Sequence, residues 1–549
     1  MRLVFLLCSL LSVAFAQNIN LRGEVRVAEG WDPIPYAVIR LPGTSLGSVA
    51  NAEGSFTLSV PPEYFQPDQR IEVSSLGYQT VQLPITELSR ARINLLRLPD
   101  QAYVLSEVFI LATELTPAQM VAQAFRKLPD NYPAEPYLMR TFYRHYCQEN
   151  GRYGRLIEAA LDLYDREGHG QLVDGPDDKI EVRLNQLRRS LDFTRLAAYQ
   201  HAPIALFRTL ANDPASYPTP LSRTVDRAKM TFRIADTTIY QGQPVLMIHA
   251  DGSYRGWRYL ADIYLVVGCW AIVKLEEHWA RTEEKRHLRV NLTNHFVTSY
   301  QPLGDRWVLS RQLNEGRREE LSLDDEGQVW HRRTHQHRVE LMVNEVLTEG
   351  FTPFTGPEPY ERLMQQVKYD PGFWENYTVL ASTPLENRIE KDLSARWDLE
   401  QQFLSFNRDP DAPEVQELRA ERQLQQLQAD YAGYPMLLVF WDHAYEPSWR
   451  DLWRVRRLLQ KAPQDPLGLV FISLDEDQGL WQRAIREKKL TVGEHLRLGQ
   501  GLRSPLAQRY GVSEVPYLVV LDRSQKVLWQ GSQWPSHREV EAIMAQWGE

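Results

Sequence analysis

Cysteine is scarce in this chain: there are three in 549 residues, at positions 8, 147 and 269. The first lies in an N-terminal apolar run, so the remainder holds at most one pair, which excludes a disulfide framework as the organising principle. Hydrophobic cores must carry the stability. Long apolar runs are scarce as well, and past residue 16 no stretch approaches the roughly 18 to 20 apolar residues a membrane helix needs. An excess of positive charge is also missing, and a net charge of −9 argues against nucleic acid or an anionic membrane surface as a partner. The chain has no Gly-x-Ser-x-Gly elbow, phosphate-binding glycine loop or dinucleotide fingerprint. Nothing in it calls for a cofactor or announces a catalytic residue set.

The opening residues, MRLVFLLCSLLSVAFAQ, combine Arg2, an apolar run and Ala14-Phe15-Ala16. This is the pattern of a secretory signal peptide at residues 1–16, cleaved after Ala16. Cys8 follows Leu6 and Leu7, so the small residue that precedes a lipidated cysteine is absent. The expectation is an exported, soluble protein, periplasmic or associated with the outer membrane. What remains is too long for one core and suffices for several domains.

Residues 17–100 alternate short strand-like runs with Gly, Pro and Asn punctuation, which suggests a small sandwich. Gly23-x-Val25, Ala37-Val38-Ile39 with Gly43-Thr44, Asn51-Ala52-Glu53-Gly54-Ser55-Phe56 and Val73-Ser74-Ser75-Leu76-Gly77-Tyr78 resemble the carboxypeptidase regulatory-like domain. The resemblance implies a transthyretin-like β-sandwich, with glycines at turns of positive φ. It implies an accessory module in an envelope setting and does not imply peptidase activity.

In residues 101–350 a helix comes first: Thr116 can cap it, Pro117 suits its first turn, and Val121, Ala124, Phe125 and Leu128 recur at helical spacing. Tyr-, Trp- and Val-rich alternating segments then predict an antiparallel meander. The run YLADIYLVVGCWAIVKLEE resembles hairpins of half-barrel envelope proteins related to lipoprotein carriers. Residues 180–225 read as helical. Residues 351–430 turn polar and helical, with Thr383 and Glu386 as a capping box, and predict a connector.

From 431 to 549 buried strands alternate with helices, which implies an α/β sheet covered on both faces. LLVFWDHAYEPSW, residues 437–449, and GVSEVPYLVVLD resemble a thioredoxin-like domain. Tyr445 and Ser448 occupy the positions of its two cysteines, and Pro516 that of its cis-proline. The redox reaction needs a thiolate at a helix N-terminus and a second thiol to resolve the mixed disulfide. Tyr445 and Ser448 supply neither, and Cys147 and Cys269 fall in another domain. A structural cap is one reading of such a module. In the other, a groove built from Trp441, Tyr445, Ser448, Val515 and Pro516 binds an extended segment of another chain.

Histidines 331, 335 and 337 share one face of a strand and are metal candidates by spacing alone. Arg333 shares that face, no Asp, Glu or Cys is obviously nearby, and a solvated strand face explains the pattern. His337 and Glu340 fit a His-x-x-Glu pattern but point to opposite faces of a strand. The whole reads as a multidomain α+β protein. The expected role is non-catalytic binding or scaffolding of a protein or peptide partner in the bacterial envelope. Two alternatives stay open: an atypical thiol-disulfide oxidoreductase, and a carrier of an apolar ligand in the central sheet.

Overall fold

A computed structural model describes residues 18–101, 115–168, 179–191, 206–285, 287–323, 326–355, 367–377, 384–395, 397–407, 413–443, 467–487, 490 and 493–533. The chain divides into two compact units, residues 1–189 with 200–392 and residues 190–199 with 393–549. The signal-peptide reading of residues 1–16 falls outside the described residues.

The first unit begins with β1 (Ile19–Val27), β2 (Val38–Arg40), β3 (Gly47–Val49), β4 (Ser55–Val60), β5 (Arg70–Ser74), β6 (Val81–Pro84) and β7 (Asn94–Leu98). They form one sheet in the order β4-β1-β7 and another in the order β3-β2-β5-β6. One apolar cluster draws Leu21, Phe56 and Leu96 from the first sheet and Ile39, Ile71 and Val73 from the second. Two glycines allow the close packing. A Cβ on Gly23 would sit 2.4 Å from the Phe56 ring, and one on Gly54, at φ +75°, would sit 2.4 Å from the Val25 carbonyl oxygen.

Ten longer strands follow: β8 (Tyr137–Glu149), β9 (Arg152–Asp165), β10 (Ile180–Arg189), β11 (Thr231–Tyr240), β12 (Gln243–Tyr254), β13 (Trp257–Val266), β14 (Ile272–Lys285), β15 (Leu288–Leu303), β16 (Arg306–Leu323) and β17 (Val329–Leu347). They make one sheet in the order β10-β9-β8-β17-β16-β15-β14-β13-β12-β11. Neighbours in sequence pair, except that β10 and β11 form the two opposite edges and β8 pairs antiparallel with β17, Tyr143 opposite Leu341. The stretch 180–189, read as helical, is a strand. Its Ile180, Val182, Leu184 and Leu187 are buried, and a bulge between Leu184 and Gln186 breaks the period-two signal. Pairing with β9 overrides its local helical propensity. A short helix does occur further on, at Leu206–Leu210.

One face of this sheet carries the core. Tyr143, Leu161, Ile263, Leu275, Leu309 and Val339 join a large apolar cluster, to which helix Pro117–Arg126 adds Met120, Val121 and Ala124. That helix begins with a capping box: Thr116 Oγ1 accepts from the Gln119 amide, and Gln119 Oε1 accepts from the Thr116 amide at 2.8 Å. The core face also buries Glu277, whose carboxylate accepts from Tyr259 Oη at 2.7 Å. Burial, opposed by that hydrogen bond, pushes its pKa up to about 7.

The opposite face is polar and its charges alternate from strand to strand. Arg188 on β10 pairs with Glu158 on β9, and Arg144 on β8 donates to the same carboxylate at 2.7 Å. In register, Arg144 then faces Glu340 on β17. Arg338 bridges Glu340 and Glu315, each at 2.6 Å. His295 Nδ1 lies 3.1 Å from Glu315 and its Nε2 2.9 Å from Glu276, whose other oxygen accepts from Lys274 at 2.7 Å. The ladder's centre is out of solvent, with Arg144 and Glu158 each 2% exposed. Burial alone would raise the Glu158 carboxyl, but Arg188 and Arg144 outweigh it and hold its pKa below the ordinary value. Tyr36 of the β1–β7 region covers the middle of the ladder: its hydroxyl accepts from Arg338 at 2.6 Å, and its ring lies 3.3 Å from the Arg311 guanidinium. Helix Pro384–Ser394 adds an ion pair from Glu386 to Arg144.

The second unit holds β18 (Met436–Trp441), β19 (Gly468–Ser473), β20 (Glu494–Arg497), β21 (Tyr517–Leu521) and β22 (Val527–Gly531) in the order β20-β19-β18-β21-β22. β18, β19 and β20 run parallel, while β21 is antiparallel to β18. Apolar clusters lie on both faces of this sheet, one around Leu438, Phe440 and Val470, the other around Val439, Leu469 and Phe471. The described helices of this unit include Leu399–Ser405, Pro413–Asp430, Gln478–Glu487 and Pro505–Arg509. Among the described residues no helix is long and apolar enough to cross a membrane.

Two outcomes follow for stability. Glu158→Ala leaves the buried Arg144 and the half-buried Arg188 without their shared carboxylate and should cost about 3–5 kcal/mol. Removing the exposed Arg289–Glu284 pair with Arg289→Ala should cost less than about 0.5 kcal/mol; denaturant titration of the full chain compares the two. Glu277 titrates the other way from Glu158, because its folded pKa is raised. The folded chain binds the extra proton between the ordinary carboxylate pKa and about 7, so its contribution to stability falls as pH rises through that window. Glu277→Gln should therefore stabilise the protein at pH 9 and have little effect at pH 4, read from the same titrations.

Candidate functional site

In the second unit, the carboxyl ends of β18 and β19 mark the edge where an α/β sheet presents its loops. β18 ends at Trp441, which is fully buried and packs in one cluster with Leu469, Phe471 and Val520. Its indole is therefore a member of the core. Asp442 and His443 follow. His443 Nδ1 bonds to the Asp475 carboxylate just past β19, and the second oxygen of Asp475 accepts from Ser473 Oγ at 2.7 Å. The bond to Asp475 raises the His443 pKa. The Val515–Pro516 peptide is cis. Phe440 lies opposite Tyr517 in register, so Pro516 stands beside the end of β18, where Trp441 and the following loop begin. Tyr445 and Ser448 lie outside the described residues.

The strand histidines are not on a solvated face. β17 is paired on both sides, and the face that carries His335 and His337 is the core face, with Cys147 opposite His337 in register. His335 is 1% exposed. Burial, then the charges of His337 and Arg155, pushes the His335 pKa down to about 3; burial, then Arg208 and Arg155, pushes that of His337 down to about 4. Both are neutral imidazoles at physiological pH. Arg155 Nη2 donates to Cys147 Sγ at 3.3 Å and lies 3.2 Å from His145 Nε2. The His335 and His337 ring centroids are 6.5 Å apart. Among the described residues, the groups of His, Cys, Asp or Glu whose ligand atoms converge within 4.8 Å are Glu276–His278–His295 and Asp442–His443–Asp475. His335 and His337 belong to neither, and the His331 side chain lies outside the described residues.

The first of those groups is on the polar face of the large sheet, where the ladder opens toward solvent. His278 and His295 are directly opposite in register on β14 and β15, and their rings stack at 4.4 Å between centroids and 4° between planes. Hydrogen bonds to Glu276 and then Glu315 push the His295 pKa up to about 9, and the bond from His295 pulls Glu276 down to about 2. Burial, then the charge of His295, lowers the His278 pKa. A charged imidazolium is thus stacked on a neutral imidazole. Two cavities meet here. One of about 410 Å³ is bordered by Tyr146, Tyr153, Leu260, His278 and Gln336, and one of about 490 Å³ lies between the polar face and Tyr36, Val49 and Tyr78; His295, Glu315 and Arg338 line both. Sequence reasoning missed this group, because its members are spread over two strands and each sits among ordinary surface-strand residues. The alternation of Lys274, Glu276 and His278 was the one available signal.

Comparison with known proteins bears on the two ends of the chain. The CarboxypepD_reg-like domain family matches residues 21–110, and a thioredoxin-like family matches residues 433–527. No curated protein matches the chain. Among solved structures, a thiol-disulfide oxidoreductase from Bacteroides fragilis is 23% identical over 20% of this chain and 82% of its own, with a TM-score of 0.19. A thioredoxin-like protein from Parabacteroides distasonis is 18% identical over 21% of this chain and 82% of its own, with a TM-score of 0.19. A secreted disulfide oxidoreductase from Mycobacterium tuberculosis is 19% identical over 21% of this chain and 84% of its own, with a TM-score of 0.18. The chain is a multidomain, β-rich protein that carries a CarboxypepD_reg-like domain at its N-terminal end and a thioredoxin-like domain at its C-terminal end.

Proposed function

We propose that this is an exported, non-catalytic binding or scaffolding protein of the bacterial envelope, acting in the periplasm or at the outer membrane. In this reading its N-terminal module is a transthyretin-like sandwich, and its C-terminal α/β module keeps the thioredoxin-like fold without the redox reaction. The observation that carries it is the absence of any cysteine from residues 393–549, with Tyr445 and Ser448 where the two thiols would stand. A serine cannot form a disulfide, and a tyrosine hydroxyl near pKa 10 does not exchange with one. The described residues of the other unit offer no dithiol in compensation: Cys147 is fully buried and Cys269 lies exposed in the β13–β14 turn. The leader-like first 16 residues support export. The place of Pro516 beside the end of β18 supports retention of the peptide-facing edge for a protein or peptide partner.

Reading the chain as a carrier of an apolar ligand gains no comparable support, since the apolar face of the large sheet is filled by its own side chains. The atypical-oxidoreductase reading is separated by assay. The full chain should reduce insulin no faster than buffer, whereas Tyr445→Cys with Ser448→Cys should gain dithiol-dependent reduction. Insulin reduction by the unaltered chain that disappears in Cys269→Ser would overturn the proposal. For the binding role, a photoreactive residue at Tyr445 should capture a defined partner in intact envelopes that one at exposed Gln425 does not. Identical capture from both positions would make the module a structural cap.

A further inference from the structure

We propose that Glu276, His278 and His295 form a divalent-cation site, of the kind zinc takes, that opens into the cavities on the polar face of the large sheet. This goes beyond the role suggested for the thioredoxin-like module and does not depend on it. The donor set is two imidazoles and one carboxylate, which suits zinc and related first-row ions. Strand pairing builds it: His278 and His295 are opposite in register, and Glu276 lies two residues before His278, hence on the same face.

All three ligand atoms lie within 4.8 Å of one another. Glu276 Oε1 is 2.9 Å from His295 Nε2 and 3.7 Å from His278 Nε2. Tetrahedral zinc with bonds of about 2.0 Å separates its ligand atoms by about 3.3 Å, which falls between those two distances. Glu315 supplies the carboxylate that metal-bound histidines require on their other nitrogen, 3.1 Å from His295 Nδ1. Lys274 occupies Glu276 Oε2 and leaves Oε1 for the ion. On binding, the proton between His295 Nε2 and Glu276 passes to solvent, while the other proton stays on His295 Nδ1, which donates it to Glu315. His278, whose side chain is 49% exposed, is the ring that turns out of the stack to aim its nitrogen at the shared point. The cavity on that side leaves a fourth position open to water or to a ligand with a lone pair.

The second converging group, Asp442–His443–Asp475, gives a built-in control. The full chain, stripped with a chelator, is titrated with Zn²⁺ by calorimetry and with Co²⁺ by visible absorption. The expected result is one ion per chain and a Co²⁺ ligand-field spectrum. His278→Ala should weaken binding at least about tenfold and Glu315→Gln by about 10- to 100-fold, and His443→Ala should bind as the unaltered chain does. Glu276 and His295 also belong to the charge ladder, so His278→Ala is the decisive variant, with its circular dichroism and thermal melt checked against the unaltered chain. Absence of saturable binding, a change smaller than tenfold in folded His278→Ala, or loss of binding in His443→Ala would each overturn the proposal.

Discussion

The large sheet depends on the charge ladder that crosses its polar face. Burying Arg144 and Glu158 strips both of water, and neither ion is tolerated there without the other. The consequence is less a gain in net stability than a constraint on register. A one-residue slip of any of these strands would turn its charges into the apolar core and its Leu, Ile and Val side chains outward. The two faces therefore enforce the same pairing from opposite sides, one through apolar burial and the other through charge complementarity.

The ladder also decides what can cover it. Tyr36 reaches it with a hydroxyl acceptor and a ring face, the two features that suit a guanidinium pair. On the far side Glu386 meets Arg144. Where neither covers it, between β14 and β16, the charges meet solvent and the paired cavities begin. Structural and chemical possibilities thus share one row of residues, with burial setting which of them dominates at each point.

Much of the local structure was legible in sequence. Thr116 and Pro117 with the spacing of Val121 and Ala124 gave the helix after the first domain, and the glycine-punctuated motifs of residues 23–78 gave its fold family. The thioredoxin-like end was legible for the same reason, since short strands and turns carry their own chemistry. Face assignment was not. The period-two pattern at His335 and His337 was real, yet which face is wet depends on partners nearly two hundred residues away in β8. The strand at 180–189 was lost because its bulge hides the alternation. Trp441 could be placed on a strand, but not its indole in the core. The ladder was invisible for a further reason: Arg144 finds Glu158 on the next strand, but Glu340 and Glu386 only after most of the sheet has intervened.

The pairing of β8 with β17 has a consequence for how the chain comes into being. As the chain leaves the ribosome, β8, β9 and β10 exist long before β17 does, and the open edge of β8 has no native neighbour during that interval. Its buried charge, Arg144, is then missing both Glu340 and Glu386. Such an edge invites pairing with other chains, and contacts this distant in sequence form slowly. The sheet closes last at its own middle. The moment most exposed to misassembly is therefore late in synthesis, and a helper that shields β8 until residue 347 has emerged would act where the topology is weakest.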